Sequence, residues 1–240
     1  MNYWINSEAT IFIIFNKRIN IMRNFLTSVL ILSALVFFAA GCGKSGKEVK
    51  VGDRQSTTGN VSGKPLSVSV SESKVEWLGK KVTGQHNGTI NISRGEIYED
   101  NGKVTGGTIE IDMTSITNAD LKDAEYNAKL INHLKSDDFF SAGKFPTAKF
   151  EITKVEELND PNKPNSNATV TGNLTIKDIT KSITFPAEIK IENKLLKAKA
   201  DLDIDRTDWN IKYGSGKFFE NLGDKMINDK FSLSFSIIAK

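Results

Sequence analysis

The 240-residue chain carries 32 Lys and Arg residues against 29 Asp and Glu residues, a net charge of +3, with one cysteine and two histidines. These charges are nearly balanced and form no basic block, so the sequence shows no surface for binding nucleic acid. A single cysteine excludes an internal disulfide, and the distant pair His86 and His133 is a poor signal for a metal site.

The N-terminal segment has the pattern of an export signal. Arg23 supplies positive charge, residues 25–40 are almost wholly apolar, and small residues then precede Cys42. This order is typical of a secretory signal peptide, and the apolar run is shorter than the roughly 20 residues of a spanning helix. We interpret residues 1–41 as a signal peptide. Because Met22 begins a complete signal, residues 1–21 are either an over-long gene start or a genuine N-terminal extension.

The small residues that end in Cys42 resemble the lipobox of bacterial lipoproteins, although Ala39 stands where that pattern usually has leucine. The resemblance implies that Cys42 is lipidated and holds the mature chain on a membrane; the alternative is an ordinary signal peptide with an incidental cysteine. Gly43 after the cysteine is compatible with sorting to an outer membrane, facing the periplasm. Residues 42–65 are rich in Gly, Ser, Thr and Lys, which predicts a flexible tether.

Residues 66–240 are predicted to form one all-β domain. Period-two alternation of apolar and polar residues predicts antiparallel strands with one dry face each, and Asn101-Gly102 predicts a hairpin turn. About eight such strands would hide their dry faces in a closed barrel, and a two-sheet sandwich is the alternative. The predicted strands cover 66–78, 82–98, 103–114, 148–155, 169–177, 182–191, 196–205 and 231–238.

One stretch between the third and fourth strands changes to a helical period. Its apolar residues are Leu121, Ala124, Ala128, Ile131 and Leu134. We predict a helix there, capped by Asn118 or Asp120. A second irregular stretch, 206–229, combines glycines with aromatic residues and is a candidate lid or short helix.

Four motifs follow one another along the domain: VEWLGKKVTGQHNGTINISRGEI, LINHLKSDDFFSAGKFPTAKFEIT, VTGNLTIKDITKSITFPAEI and DLDIDRTDWNIKYGSG. In this order and spacing they resemble the YceI-like polyisoprenoid-binding family over about residues 66–240. The resemblance implies a lipocalin-like antiparallel barrel whose apolar tunnel accommodates a long isoprenoid or fatty chain. It also implies an exported protein, as family members often are lipoproteins.

The candidate ligand-binding residues are those expected along the inner face of the barrel. They are Trp77, His86, Phe150, Phe185, Ala198, Ala200, Leu202, Trp209 and Phe235. The small alanines favour a hollow interior, whereas the aromatic residues serve equally well as core fillers. His86 shares its parity with Ile90 and Ile92, so we predict that it points inward. There it either contacts a ligand head group or is a satisfied core histidine.

Enzyme motifs are missing from the sequence: there is no nucleophile elbow, zinc-protease helix or phosphate-binding loop. We therefore expect no catalysis and no cofactor. The sequence is interpreted as an exported, lipid-anchored barrel of the bacterial cell envelope. Its expected partner is an isoprenoid or fatty-acid-like lipid, bound for transport, storage or sequestration. The alternative is an envelope structural or interaction module with a solid barrel and no ligand; the sequence leaves the oligomeric state open.

Overall fold

The computed structural model describes residues 47–57 and 61–240, so the predicted signal peptide and Cys42 lie outside the described residues. Within these two ranges, none of the helices has the length and apolar character needed to cross a membrane. The strands are β1 (Lys47–Glu48), β2 (Lys50–Asp53), β3 (Lys64–Ser67), β4 (Lys74–Lys81), β5 (Gly84–Asp100), β6 (Lys103–Asp112), β7 (Thr147–Glu157), β8 (Ala168–Ile176), β9 (Ile179–Glu192), β10 (Leu195–Asp205) and β11 (Lys230–Ala239). The α-helix α1 covers Ala124–Lys135, and 3₁₀ turns lie at Met113–Ser115, Arg206–Trp209 and Gly223–Lys225.

The strands β4 to β11 form a closed antiparallel barrel. Each of these strands pairs with the next one along the chain, and β11 pairs back onto β4 to complete the ring. The helix α1 lies between β6 and β7, the third and fourth strands of the barrel. The predicted lipocalin-like barrel with one inserted helix is therefore confirmed, and the two-sheet alternative is wrong.

Period-two alternation decides which side chains fill the barrel. On β8, Val170, Leu174 and Ile176 are buried with Gly172 on the same face. On β10, Leu202 and Ile204 are buried while the intervening aspartates are partly exposed. Each fully buried aliphatic side chain of this kind contributes about 1.5–3 kcal/mol, so the interior-facing rows stabilise the barrel as a unit.

At one end of the barrel, which we call the hairpin end, tight turns join β5 to β6 and β9 to β10. In these turns Asn101 and Gly102 have φ of 51° and 80°, and Asn193 and Lys194 have φ of 51° and 64°. Two successive residues with positive φ are what a type I′ turn requires, which confirms the predicted Asn-Gly turn. We call the opposite end, which carries α1 and the segment 206–229, the mouth end.

The helix begins later than predicted, because residues 116–120 continue in extended form beside β5. The Thr117 amide donates to the Thr89 carbonyl and the Ala119 amide to the Asn87 carbonyl, so this stretch cannot start a helix. Asp123 is the N-cap of α1, and its Oδ1 accepts from two amides of the first turn at 3.0 Å. The prediction of Asn118 or Asp120 as the cap is wrong.

Residues 47–57, predicted to belong to a flexible tether, instead lie along the barrel wall, and we call them the strap. Strands β9 and β10 pair only over Glu188–Glu192 and Leu195–Lys199, and they part toward the mouth end. The strap fills this gap: β1 pairs in parallel with β10, and β2 pairs with β9. Strand edges that would otherwise lack backbone partners are thus satisfied.

A buried asparagine helps to fasten the strap to the barrel. Asn173 is 1% exposed although it points away from the barrel interior. Its Oδ1 accepts from the Gln55 amide at 2.8 Å, and its Nδ2 donates to the Gln55 carbonyl at 2.9 Å. Both polar atoms of this buried amide are therefore paired, as burial demands.

Candidate functional site

A cavity of about 190 Å³ lies inside the mouth end of the barrel. Its wall is apolar and combines barrel residues with residues from α1, which supplies Leu130 and Leu134. The polar residues Lys80, Lys81 and Gln85 border it where it reaches the surface. For scale, an engineered apolar cavity of about 150 Å³ stays dry and binds benzene. The cavity as it stands therefore accepts about one ring-sized apolar group.

A second apolar cavity, of about 40 Å³, lies toward the hairpin end. Ile97, Ile152, Ala187 and Ile237 are among the side chains that line it. The two cavities share no lining residue. The interior of the barrel is thus hollow in two places, and packed side chains fill the layer between them.

Three phenylalanines dominate that layer, and we call Phe150, Phe185 and Phe235 the phenylalanine partition. The ring centroid of Phe185 lies 5.7 Å from that of Phe150 and 5.8 Å from that of Phe235, within the range of favourable aromatic pairs. On β7, Phe150 lies between Ala148, which borders the first cavity, and Ile152, which borders the second. The partition therefore stands across the path that would join the two cavities.

A glycine makes room for the partition. A Cβ atom on Gly172 would lie 2.5 Å from Cζ of Phe150 and 2.6 Å from the carbonyl oxygen of Glu151. Real Cβ atoms do not approach so closely, so the Phe150 ring rests where only glycine leaves space. Gly172 thus serves to seat an aromatic ring in mid-barrel.

The predicted ligand-binding residues fall into three groups. Trp77 and His86 border the first cavity, and Phe185, Ala198 and Phe235 border the second. Phe150, Ala200 and Leu202 are core residues that border neither cavity. Trp209 also borders neither cavity. The expected single tunnel is therefore divided in this structure by the partition.

The placement of Trp209 corrects its prediction as a cavity residue. The indole is fully buried, and its Nε1 donates to the Leu174 carbonyl at 3.2 Å. The 3₁₀ turn Arg206–Trp209 follows β10 immediately, so Trp209 does not belong to the inward-facing row of that strand. Trp209 therefore packs the core beside the cavity wall.

His86 lies at the rim of the first cavity with its side chain 31% exposed. Its Nδ1 lies 2.8 Å from Oδ2 of Asp120, whose Oδ1 accepts from the Asn87 amide at 2.9 Å. Burial acts to raise the pKa of Asp120, but hydrogen bonds from the Asn87 amide, His86 and Asn118 hold that pKa below its ordinary value. Because the ionised carboxylate only accepts, His86 must donate from Nδ1. The other ring nitrogen, Nε2, has no hydrogen-bond partner among the described residues.

Arg206 is a residue of this site that the sequence reasoning missed. It borders the first cavity although it is 4% exposed. It donates to the carbonyls of Ile211, Asn228 and Ile227 at 2.8, 3.1 and 3.2 Å. Burial lowers its pKa, and the nearby charges of Asp229 and Asp205 oppose this effect. Arg206 thus ties the segment 206–229 to the barrel rim; its place between aspartates in DIDRTD was the available signal.

The part of the chain that the structure describes contains no candidate metal site. Among residues 47–57 and 61–240, no group of three or more His, Cys, Asp or Glu side chains is placed to hold a metal ion. What the site offers is an apolar interior with a small polar rim. That arrangement suits an amphipathic molecule with an apolar body.

Comparison with known proteins agrees with this geometry. The model of the YceI-like domain family matches residues 66–239. A UPF0312 protein from Shewanella denitrificans is 34% identical over 100 residues, which are 42% of this chain and 47% of that protein. Another UPF0312 protein, from Vibrio parahaemolyticus, is 33% identical over 101 residues, which are 42% of this chain and 48% of that protein. The chain thus matches about half the length of these curated relatives.

Two solved structures share the fold. BcnA from Burkholderia cenocepacia superposes with a TM-score of 0.54 at 24% identity, covering 72% of this chain and 99% of that one. A polyisoprenoid binding domain from Saccharophagus degradans, implicated in plant cell wall breakdown, superposes with a TM-score of 0.50 at 11% identity. That match covers 73% of this chain and 97% of the other.

Proposed function

The chain belongs to the YceI-like domain family, and we propose that it binds the apolar chain of an isoprenoid or similar amphipathic lipid inside its barrel. The observation that carries the proposal is the cavity of about 190 Å³ at the mouth end, with its apolar wall and polar rim. The polyisoprenoid binding domain with the same fold supports the choice of ligand class. The proposal includes no catalytic step.

The size of the first cavity sets what binding it can provide alone. One prenyl unit of about five carbons, at about 0.8 kcal/mol per methylene, gives about 4 kcal/mol. That free energy corresponds to a Kd of about 1 mM before ordering costs. Useful affinity therefore requires the chain to extend past the partition into the second cavity. We propose that the phenylalanine partition moves aside when a long chain binds.

The polar end of the ligand would remain at the rim beside His86. When the imidazole is neutral and donates Nδ1–H to Asp120, its Nε2 is an acceptor at the cavity rim. A hydroxyl head group, as in a prenol or a fatty alcohol, is a suitable donor to this atom. His86 therefore orients the ligand, while the cavity wall supplies the affinity.

The cellular setting is proposed from the sequence alone. We propose that Cys42 is acylated and anchors the protein in the bacterial envelope, on the outer membrane facing the periplasm. There the barrel would transport, store or sequester its lipid. Cys42→Ala should leave the precursor uncleaved or release the protein from the membrane fraction. Normal processing and unchanged membrane retention of that variant would contradict the anchor.

One observation favours a second candidate, an envelope interaction module without a ligand. The partition packs the middle of the barrel, and in a protein of this kind it would never open. The two candidates differ in what the purified protein carries and takes up, so one experiment separates them.

The test combines extraction with titration of the full-length protein. Mass spectrometry of an organic extract should find a copurified amphipathic lipid, and added geranylgeraniol should bind and raise the melting temperature. His86→Phe should weaken binding of geranylgeraniol more than binding of a hydrocarbon of similar length, because only the alcohol uses Nε2. Equal losses for the two ligands would make His86 a packing residue. No extracted lipid and no uptake by the parent protein would favour the interaction module.

A further inference from the structure

The mouth end exposes a group of large apolar side chains that the lipid site itself does not use. These are Val82, Phe218, Phe219 and Met226, which are 54%, 47%, 50% and 37% exposed. Scattered single exposures are ordinary, but neighbouring ones indicate an interaction surface. We call these four residues the mouth patch.

Backbone and side-chain contacts link the segments that carry the mouth patch. The Val82 amide donates to the Met226 carbonyl at 3.3 Å, which joins the β4–β5 turn to the segment 206–229. A Cβ atom on Gly216 would lie 3.0 Å from the Met226 sulfur, so the thioether rests on the turn that precedes Phe218 and Phe219. The patch adjoins the first cavity, because the neighbouring residues Lys81 and Ile227 border that cavity.

Lysines accompany every part of the patch. Lys81 precedes Val82, Lys217 precedes Phe218, and Lys225 precedes Met226. Lys212 places its Nζ 4.7 Å from the centre of the Phe218 ring. Of these four lysines only Lys217 forms an ion pair among the described residues, with Asp205 and Asp229.

The same surface also carries acidic groups. Asp208, Glu220 and Asp224 lie in the segment 206–229, and Asp205 and Asp229 pair with Lys217, but it is a lysine, Lys212, whose charged group lies against an aromatic ring of the patch. Apolar side chains flanked by lysines are the composition of a surface that enters the boundary between head groups and acyl chains. Anionic lipids attract such lysines at short range.

We propose that the mouth patch docks on an anionic lipid surface, with Phe218 and Phe219 inserted among the acyl chains. Given the lipid-binding function proposed above, docking would bring the cavity rim to the membrane, so that a lipid chain moves between bilayer and barrel without crossing water. The patch thus has a bilayer as its partner.

The test uses a fluorescent probe placed in the patch of the full-length protein, so that binding through the N-terminal segment does not affect the readout. Phe219→Trp and the control Val70→Trp are mixed with vesicles of phosphatidylcholine and phosphatidylglycerol in equal amounts. Val70 is 45% exposed but lies beside the hairpin end of the barrel. The fluorescence of the parent protein is subtracted. We expect the added signal of Phe219→Trp to shift to the blue and to be quenched by brominated phospholipids, and that of Val70→Trp to remain open to aqueous quenchers.

Salt supplies a second readout. Raising the salt to about 1 M shortens the Debye length to about 3 Å and should reduce the lipid quenching of Phe219→Trp. Equal access of the two probes to aqueous quenchers would overturn the proposal. A blue shift of Phe219→Trp that appears without vesicles and grows with protein concentration would also overturn it, because it would identify a second copy of the chain as the partner.

A double variant separates docking from lipid binding. Phe218→Ser with Phe219→Ser should slow geranylgeraniol uptake from anionic vesicles about tenfold, equivalent to about 1.4 kcal/mol. It should leave uptake from detergent micelles unchanged, because neither residue borders a cavity. Equal uptake by parent and variant from vesicles would overturn docking. Failure of the parent to take up the alcohol from micelles would instead reject the proposed function, while the quenching result would still decide docking.

Discussion

Removing the Phe150 ring should join the two cavities and change which chain lengths the protein binds. Phe→Ala in a core costs about 3–5 kcal/mol, and a domain has about 5–15 kcal/mol of stability, so Phe150→Ala should remain folded with a lower melting temperature. Phe150→Leu is a milder variant with the same expected direction. Each prenyl unit of about five carbons that enters the joined cavity adds about 4 kcal/mol at most. A ligand that spans both cavities should therefore recover most of the lost stability.

The assay is a series of prenols of increasing length, titrated against parent and variant, with Kd and melting temperature measured for each. In the parent, affinity should rise weakly with length, because moving the partition offsets part of each gain. In Phe150→Ala it should rise steeply from geraniol to geranylgeraniol. Ile211→Ala is the control: Ile211 is buried but borders neither cavity, and its loss costs about 2–5 kcal/mol. Parallel length profiles in parent and Phe150→Ala would refute the reasoning.

Three further predictions concern the strap, the rim and the seat of the partition. Asn173→Ala removes both hydrogen bonds to Gln55 and should cost about 1–3 kcal/mol of stability. Amide hydrogen exchange should then rise in residues 47–57, and unchanged exchange there would contradict the role of Asn173 in holding the strap. Burial acts to raise the pKa of Asp205, but hydrogen bonds from Lys217 and Thr207 lower it overall. The ionised Asp205 side chain therefore stabilises the folded protein above its unfolded pKa of about 3.9. This stabilisation is lost as the pH falls through the lower pKa of the folded state. The melting temperature of Asp205→Asn should fall less on acidification than that of the parent, and identical pH profiles of the melting temperature would count against this. Gly172→Ala should cost about 1–3 kcal/mol by forcing the Phe150 ring aside, whereas an unchanged melting temperature would mean that the ring has room to move.

Local patterns were sufficient to predict the strands, although they left a closed barrel and a two-sheet sandwich as alternatives. The alternation in LKAKADLDID and FSLSFSII requires one dry face per strand, and Asn101-Gly102 requires a tight hairpin. These signals depend on neighbours in sequence, so they hold without knowledge of the three-dimensional context. The inward parity of His86 with Ile90 likewise follows from a single strand.

The features that local patterns missed depend on contacts across the barrel. The strap is polar, and its pairing arises because β9 and β10 part beyond Lys199, which no local pattern announces. The partition depends on the relative heights of β7, β9 and β11, which bring three phenylalanines to one layer. Trp209 lies in the irregular stretch after β10, where a 3₁₀ turn sets its position and no period-two pattern was available to place it.

The strap also determines how far the barrel can stand from a membrane if Cys42 is acylated. A free segment from Cys42 to the predicted domain start would reach about 80 Å at about 3.3–3.6 Å per residue. Because β1 begins at Lys47, Cys42 is only about five residues from the barrel wall, a distance of at most about 17 Å for an extended chain. The barrel would then be held close to the bilayer. A short tether gives a high effective concentration of the lipid surface near the barrel. A weakly attractive mouth patch would thus suffice to keep the cavity rim in frequent contact with the lipid surface.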